Sequence, residues 1–330
     1  MMKTKGISTL AARLLAGACL AAAAHAPAWA DTYPARGLSL VVPQAAGGST
    51  DAISRLWAQY AAKKLGQPVV VENRPGAGGI IAVQYALRQP ADGYTVLSAG
   101  ISQMVLNKFT YKPLAYDPDK DLKGVGLLTT NPFLLVASKE SGIRNLDDLI
   151  RLAKADPRAL NFATAGLGNS THVVVEMLQQ QLGIEMTNVP FGGEAAGLTA
   201  LLGGQVQVMA PVLSTGVPAA LAGKVVPLLV LGDNRYAELP DVPSAADRGL
   251  TGFGGVGWLG LAVRSGTPPD VVTRLHAVTE EFLKDPDTVS RLKAMQVELM
   301  PGPADALDRK IAADTLQWSA VLKDINLSSK

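Results

Sequence analysis

The chain has 330 residues but only one cysteine, Cys19, and three histidines. A single thiol excludes an internal disulfide and a thiolate metal cluster, and histidines as scattered as His25, His172 and His276 offer no transition-metal spacing. No metal and no cofactor is therefore expected. Phosphate-binding loops are missing as well. No Gly-Lys-Ser/Thr closes a Walker A loop, and Gly76-Ala77-Gly78 fails as a dinucleotide fingerprint because Ile81 stands where the third glycine belongs. There is no Gly-x-Ser-x-Gly elbow for a nucleophilic serine. An excess of one charge is lacking too: 30 Lys and Arg face 28 Asp and Glu. Nucleic acid is excluded as a partner, since it calls for a basic patch.

What is present begins at the N-terminus. Lys3, Lys5 and Arg13 accompany a short apolar run, Leu14 to Ala24, and Ala28-Trp29-Ala30 puts small residues at the two positions a signal peptidase inspects. The run is shorter than the ~20 apolar residues of a membrane span. Residues 1–30 are read as a cleavable signal peptide, cut after Ala30, which sends the chain to the periplasm. Lipidation at Cys19 fits less well, because Ala16 stands where a lipobox carries Leu. Cleavage would remove the cysteine and three basic residues. The mature chain is then thiol-free and near neutral, and long enough for two domains.

Apolar runs and helical periodicity alternate along it. Leu38-Ser39-Leu40-Val41-Val42 reads as a buried strand, followed by a helix whose apolar face is Ile53, Leu56, Trp57, Tyr60 and Leu65 and which Gly66 stops. Val69 to Val71, a helix from Ile80 to Leu87 and a strand Thr95 to Leu97 continue the alternation, which predicts parallel strands with helical crossovers. The pattern restarts at Asn131-Pro132. Strands are expected at 133–137, 161–163, 206–209 and 226–230, with Pro227 placing the last at a sheet edge. Helices are expected at 145–155 and 173–182. A further strand, 258–263, precedes helices opening at Pro268-Pro269 and Asp285-Pro286 and a last one over 304–324. Trp57, Trp258 and Trp318 read as core. With no strand-rich half after it, the tail is expected to pack back on the first lobe. The expected organisation is a discontinuous lobe 1, residues 31–131 and 250–330, hinged to lobe 2, residues 132–249.

Two loops share one design: a strand, small residues, hydroxyl residues, then a helix. They are Gln44-Ala45-Ala46-Gly47-Gly48-Ser49-Thr50-Asp51 and Thr164-Ala165-Gly166-Leu167-Gly168-Asn169-Ser170-Thr171. Glycines let the backbone approach a ligand, and a helix N-terminus offers N–H groups and partial positive charge, so such loops bind anions without Arg or Lys. Ser49, Thr50, Ser170 and Thr171 are candidate caps. One loop per lobe predicts a small carboxylate clamped between them at the strand ends. Replacing Gly168 by Val is expected to block the ligand and leave the fold intact. His172, two residues after Ser170, also admits a Ser–His hydrolase. Neighbours at a helix start point apart, so His172 reads as a capping or pocket-wall residue.

Several blocks resemble one family in order. Val41-Val42-Pro43 with Gly47-Gly48-Ser49-Thr50-Asp51 is followed by Leu65-Gly66-Gln67-Pro68, Glu72-Asn73-Arg74-Pro75-Gly76-Ala77-Gly78-Gly79 and Ala91-Asp92-Gly93-Tyr94-Thr95. Tyr116-Asp117-Pro118, Leu201-Leu202-Gly203-Gly204-Gln205-Val206 and Leu239-Pro240-Asp241-Val242-Pro243 complete the series. Together they resemble the substrate-binding proteins of tripartite tricarboxylate transporters, the Bug receptors. The resemblance implies an α/β, type II periplasmic-binding-protein fold of two lobes joined by a hinge. It implies a receptor that captures a small organic carboxylate and presents it to the membrane permease subunits; docking on a sensor kinase is the alternative, and a monomer is expected. The expected ligand set is Gln44, Ala46, Gly47, Ser49, Thr50, Asp51 and Ser102 on one side. On the other it is Thr164, Ala165, Gly166, Gly168, Asn169, Ser170, Thr171, His172, Phe191, Gly192 and Pro211. Phe191-Gly192 stands where the family carries Tyr-Lys, and Ala210-Pro211-Val212 where members often carry Asp. A less polar pocket is therefore expected, with no acid to pair an amino-acid ammonium.

Overall fold

The computed structural model describes residues 33–324 apart from 131, 158 and 254–256. The signal peptide, its cleavage point and Asn131 lie outside the described residues. Every element named below lies within residues 36–330, one compact unit.

The alternation read from the sequence is present, and it builds two sheets. β1 (Leu38–Val42), α1 (Ser49–Leu65), β2 (Val69–Asn73), α2 (Ile80–Arg88) and β3 (Thr95–Gly100) form parallel crossovers, with β1 between β2 and β3. A π-turn at Ser102–Leu106 and single turns at Asn107–Thr110 and Pro118–Asp121 lead to β4 (Leu122–Thr130). The chain then enters a second sheet: β5 (Phe133–Ser138), α3 (Leu146–Ala155), β6 (Asn161–Thr164), α4 (Ser170–Leu182), β7 (Thr187–Pro190), α5 (Glu194–Leu202), β8 (Val208–Met209), α6 (Leu213–Leu221) and β9 (Val225–Leu231). It returns to the first sheet at β10 (Trp258–Arg264), followed by α7 (Pro269–Lys284), α8 (Pro286–Ala294), β11 (Glu298–Leu299) and α9 (Ala306–Val321).

The first sheet has the order β11-β4-β10-β3-β1-β2 and the second β7-β6-β8-β5-β9. The returning strand β10 runs antiparallel between β3 and β4, and β5 runs antiparallel to β8 and β9. β9 is an edge, as Pro227 predicts, and its pairing with β5 slips where that proline removes a donor.

Some expectations need correction. Gly48, not a hydroxyl residue, is the N-cap of α1, and Asn169 caps α4 by accepting from Thr171 N–H at 3.1 Å. Ser49, Thr50, Ser170 and Thr171 lie inside the helices, where the Ser49, Ser170 and Thr171 hydroxyls have other partners. The expected strand at 206–209 is only Val208–Met209. β4 was not foreseen because glycines interrupt its apolar run. At Gly126 a Cβ would stand 3.3 Å from the His276 ring, so a glycine there allows α7 to lie close.

Both sheets bury their central strands; β5 is buried along its whole length, and β3 and β10 along all but one terminal residue. Trp57 and Trp318 are fully buried, and the indole N–H groups of Trp57 and Trp258 donate to Thr279 Oγ1 at 3.1 Å and Asp314 Oδ2 at 2.6 Å. The second of these bonds ties α9 to β10, so the tail packs on the first sheet.

Candidate ligand-binding site

The first loop is shaped from behind. Asp51, buried in the first turn of α1, accepts from Gly47 N–H at 3.1 Å, Arg55 Nε at 2.9 Å and Asn73 Nδ2 at 2.9 Å. Asn73 Nδ2 also donates to the Gln44 carbonyl at 3.0 Å, which pins the loop to β2. Burial pushes the Asp51 carboxyl up, but the hydrogen bonds from Arg55, Gly47 N–H and Asn73 outweigh it and hold it below its ordinary value.

The second loop is closed the same way. Thr171 Oγ1 accepts from Ala165 N–H at 2.8 Å, and His172 Nδ1 accepts from Gly168 N–H at 3.1 Å. With Nδ1 an acceptor, His172 carries its proton on Nε2, which faces Glu176 Oε1 at 3.4 Å; its ring stacks on Phe162. The Ser170 hydroxyl donates to Asn169 Oδ1 at 3.2 Å. Both nitrogens of His172 are engaged elsewhere, so it does not activate Ser170.

Between the sheets these two helix starts meet. Ser170 N–H donates to Ser102 Oγ at 3.0 Å, and the Ser214 hydroxyl donates to Ser49 Oγ at 2.8 Å. Tyr111, from the segment between β3 and β4, donates its hydroxyl to the Leu167 carbonyl. Beside these contacts lies a cavity of about 70 Å³. Eight of the expected site residues line it: Gln44, Ser49, Thr50, Ser102, Ala165, Asn169, Ser170 and Thr171.

The other ten stand off the lining. Ala46 and Gly47 are exposed at the loop tip, and Asp51 and His172 brace the loops from behind. Thr164 is buried and donates to Asn188 Oδ1 at 2.9 Å. Gly166 and Gly168 shape the second loop, Phe191 N–H donates to the Thr164 carbonyl, Gly192 is exposed, and the Pro211 carbonyl accepts from Leu134 N–H. Phe191, Gly192 and Pro211 therefore give no ground for a less polar pocket.

Sequence reasoning missed Gln103, Thr129, Phe133, Trp258 and, above all, Glu194, which all line the cavity. Glu194 opens α5 beside the very segment that was read as lacking an acid: its Oε2 accepts from Val212 N–H at 3.1 Å. Burial raises its carboxyl to about 6 despite the Thr215 hydroxyl and Val212 N–H, which pull the other way. The signal was in the sequence, since Gly192-Gly193-Glu194 repeats the glycine-pair-then-helix design of the first loop. Glu194 is the one charged side chain among the residues lining the cavity; no Lys, Arg or His joins it.

A cavity between two open α/β sheets, reached by two helix N-termini, defines a two-lobed solute-binding protein. The model of the tripartite tricarboxylate transporter family receptor matches residues 53–327, and the chain belongs to that family. It is 31% identical over 306 residues to BugT of Bordetella pertussis, covering 92% of this chain and 94% of that one. Among solved structures, the malate-bound MatC of Rhodopseudomonas palustris superposes with a TM-score of 0.84 at 34% identity, over 88% of this chain and all (100%) of MatC. An R. palustris protein solved with adipate gives a TM-score of 0.84 at 32% identity, over 88% of this chain and 97% of its own.

Proposed function

We propose that the protein is a periplasmic receptor that captures a small organic carboxylate between its lobes and delivers it to the permease of a tripartite tricarboxylate transporter. The observation that carries this reading is the convergence of α1 and α4, one from each sheet, on a cavity without a basic side chain. Helix N-termini supply partial positive charge where no cation is present. Ser102 Oγ at Ser170 N–H marks where a carboxylate oxygen would accept, and Ser49, Thr50, Asn169 and Thr171 supply further polar groups.

Relatives of the same fold bind malate and adipate, two small dicarboxylates. The proposed lobes are residues 31–131 with 250–330, and 132–249, following the strand membership of the two sheets. Residues 1–30 serve as the export signal. Among the described residues no helix is long and apolar enough to cross a membrane.

Thermal unfolding with a panel of mono-, di- and aromatic carboxylates tests the reading. A cognate acid at 100 times its dissociation constant stabilises the protein by about 2.7 kcal/mol. A panel that leaves the transition unmoved throughout defeats the carboxylate assignment.

A further inference from the structure

We propose that Glu194 contacts the ligand and makes this receptor select carboxylates that also carry a hydrogen-bond donor, a hydroxyl or an ammonium, over plain mono- and dicarboxylates. The inference rests on the carboxylate reading of the cavity.

Glu194 is 6% exposed, and its two oxygens are treated differently by the protein. Oε2 takes the Val212 N–H; Oε1 is buried with no donor in hydrogen-bonding geometry, although the nearby Thr215 hydroxyl favours the charged carboxyl. A buried carboxylate oxygen without a donor is costly, and native interiors rarely leave one so. Among the described residues lining the cavity no cation answers it. A donor on the ligand can fill the place. A second ligand carboxylate cannot, since two anions in a poorly screened site repel. The cavity therefore has two unlike ends: helix N-termini suited to a carboxylate, and an acceptor suited to O–H or N–H.

A helix-starting Glu that merely braces Val212 would leave ligand preference untouched, so preference is the readout. Calorimetric titration uses two matched trios: succinate, malate and aspartate; adipate, 2-hydroxyadipate and 2-aminoadipate. At about pH 7.5, where the Glu194 carboxyl is largely ionised, the hydroxy or amino acid of a trio binds about tenfold or more tighter than the plain acid. In Glu194→Gln that ratio falls to about threefold or less. Wild type at about pH 5 gives a second measurement that needs no variant: protonated Glu194 becomes a donor, so the plain acid gains relative to its partners. Equal binding across a trio, binding confined to acids without a donor, or a ratio that survives Glu194→Gln overturns the inference and leaves the carboxylate reading standing. If no carboxylate binds, in the trios or in the wider panel, both fall together.

Discussion

Ser49 and Ser214 join the two halves of the molecule directly, hydroxyl to hydroxyl at 2.8 Å across the cavity rim. Ser49 opens the helix that follows β1 of the six-stranded sheet; Ser214 lies in α6, between β8 and β9 of the five-stranded one. With Ser170 N–H on Ser102 and Tyr111 on the Leu167 carbonyl, the lobes touch on both sides of the ligand space. A neutral hydrogen bond of this kind contributes about 1 kcal/mol. Ser214, which does not line the cavity, is the side to remove. Ser214→Ala should open the ligand-free protein, seen as a larger radius of gyration by X-ray scattering, and weaken ligand binding about fivefold. Unchanged scattering and affinity together would mean that the pair does not hold the lobes.

Gly168 behaves differently from what its place in a ligand loop implies. Its φ is +69°, a conformation that costs a residue with a side chain about 1–2 kcal/mol. A Cβ there would stand 2.8 Å from Thr110 Oγ1 and 2.9 Å from the Tyr111 ring, both from the segment between β3 and β4. Gly168→Ala should therefore act as a wedge between the lobes, with no need to touch the ligand. Denaturant unfolding should show a loss of about 1–2 kcal/mol, and affinity should fall about tenfold as closure is hindered. A variant of wild-type stability that binds normally would show that the segment yields freely.

The strands and helices of both loops were legible because their signals are local: an apolar run, a cluster of small residues, and a periodic face after it. The family blocks were legible for the same reason. The cavity was not, because it is assembled from segments far apart in the chain, Gln44 to Trp258, and local pattern does not say which side of a helix start faces inward. Hence Thr50 and Asp51, adjacent in sequence, part company, one lining the cavity and the other bracing the loop. Hydroxyls at a helix start read as caps, whereas Gly48 and Asn169 hold those positions; the Ser49 hydroxyl and the Ser170 main-chain N–H make contacts across the cleft. Glu194 went unread because its burial is a tertiary fact.

Asp51 should matter to binding without touching the ligand. Its carboxylate holds Gly47 N–H, Arg55 and Asn73 at once, and hydrogen bonds to a charged group contribute about 1.5–3 kcal/mol where they are partly buried. Arg55 is 46% exposed, so that pair is screened and adds little. Asp51→Ala is expected to destabilise the fold by about 2–3 kcal/mol and to weaken ligand binding through a slack first loop. Because its folded-state carboxyl sits below the ordinary value of 3.8, Asp51's contribution is present at neutral pH and is lost only as acid is added below that point. Urea unfolding with parallel ligand titration measures both effects. Full stability with full affinity would show that Asn73 alone sets the loop.

Glu194 gives the opposite pH signature. Its carboxyl rises from 4.5 to about 6 in the fold, chiefly through burial, with Thr215 and Val212 N–H opposing and no other charge acting on it. The folded state therefore holds this proton more tightly than the unfolded chain. The stabilising effect is fully present below 4.5 and is lost as pH rises through about 6. The gap corresponds to about 2 kcal/mol. Other groups titrate in both proteins, so the quantity to follow is the difference between Glu194→Gln and wild type, each without ligand. The variant should gain on wild type by about 2 kcal/mol between about pH 4 and about pH 7. A difference that stays flat across that range would mean that Glu194 is solvated rather than buried. With a saturating hydroxy or amino acid the same difference should shrink, because a ligand donor on Oε1 favours the charged form and removes the cost of burying it.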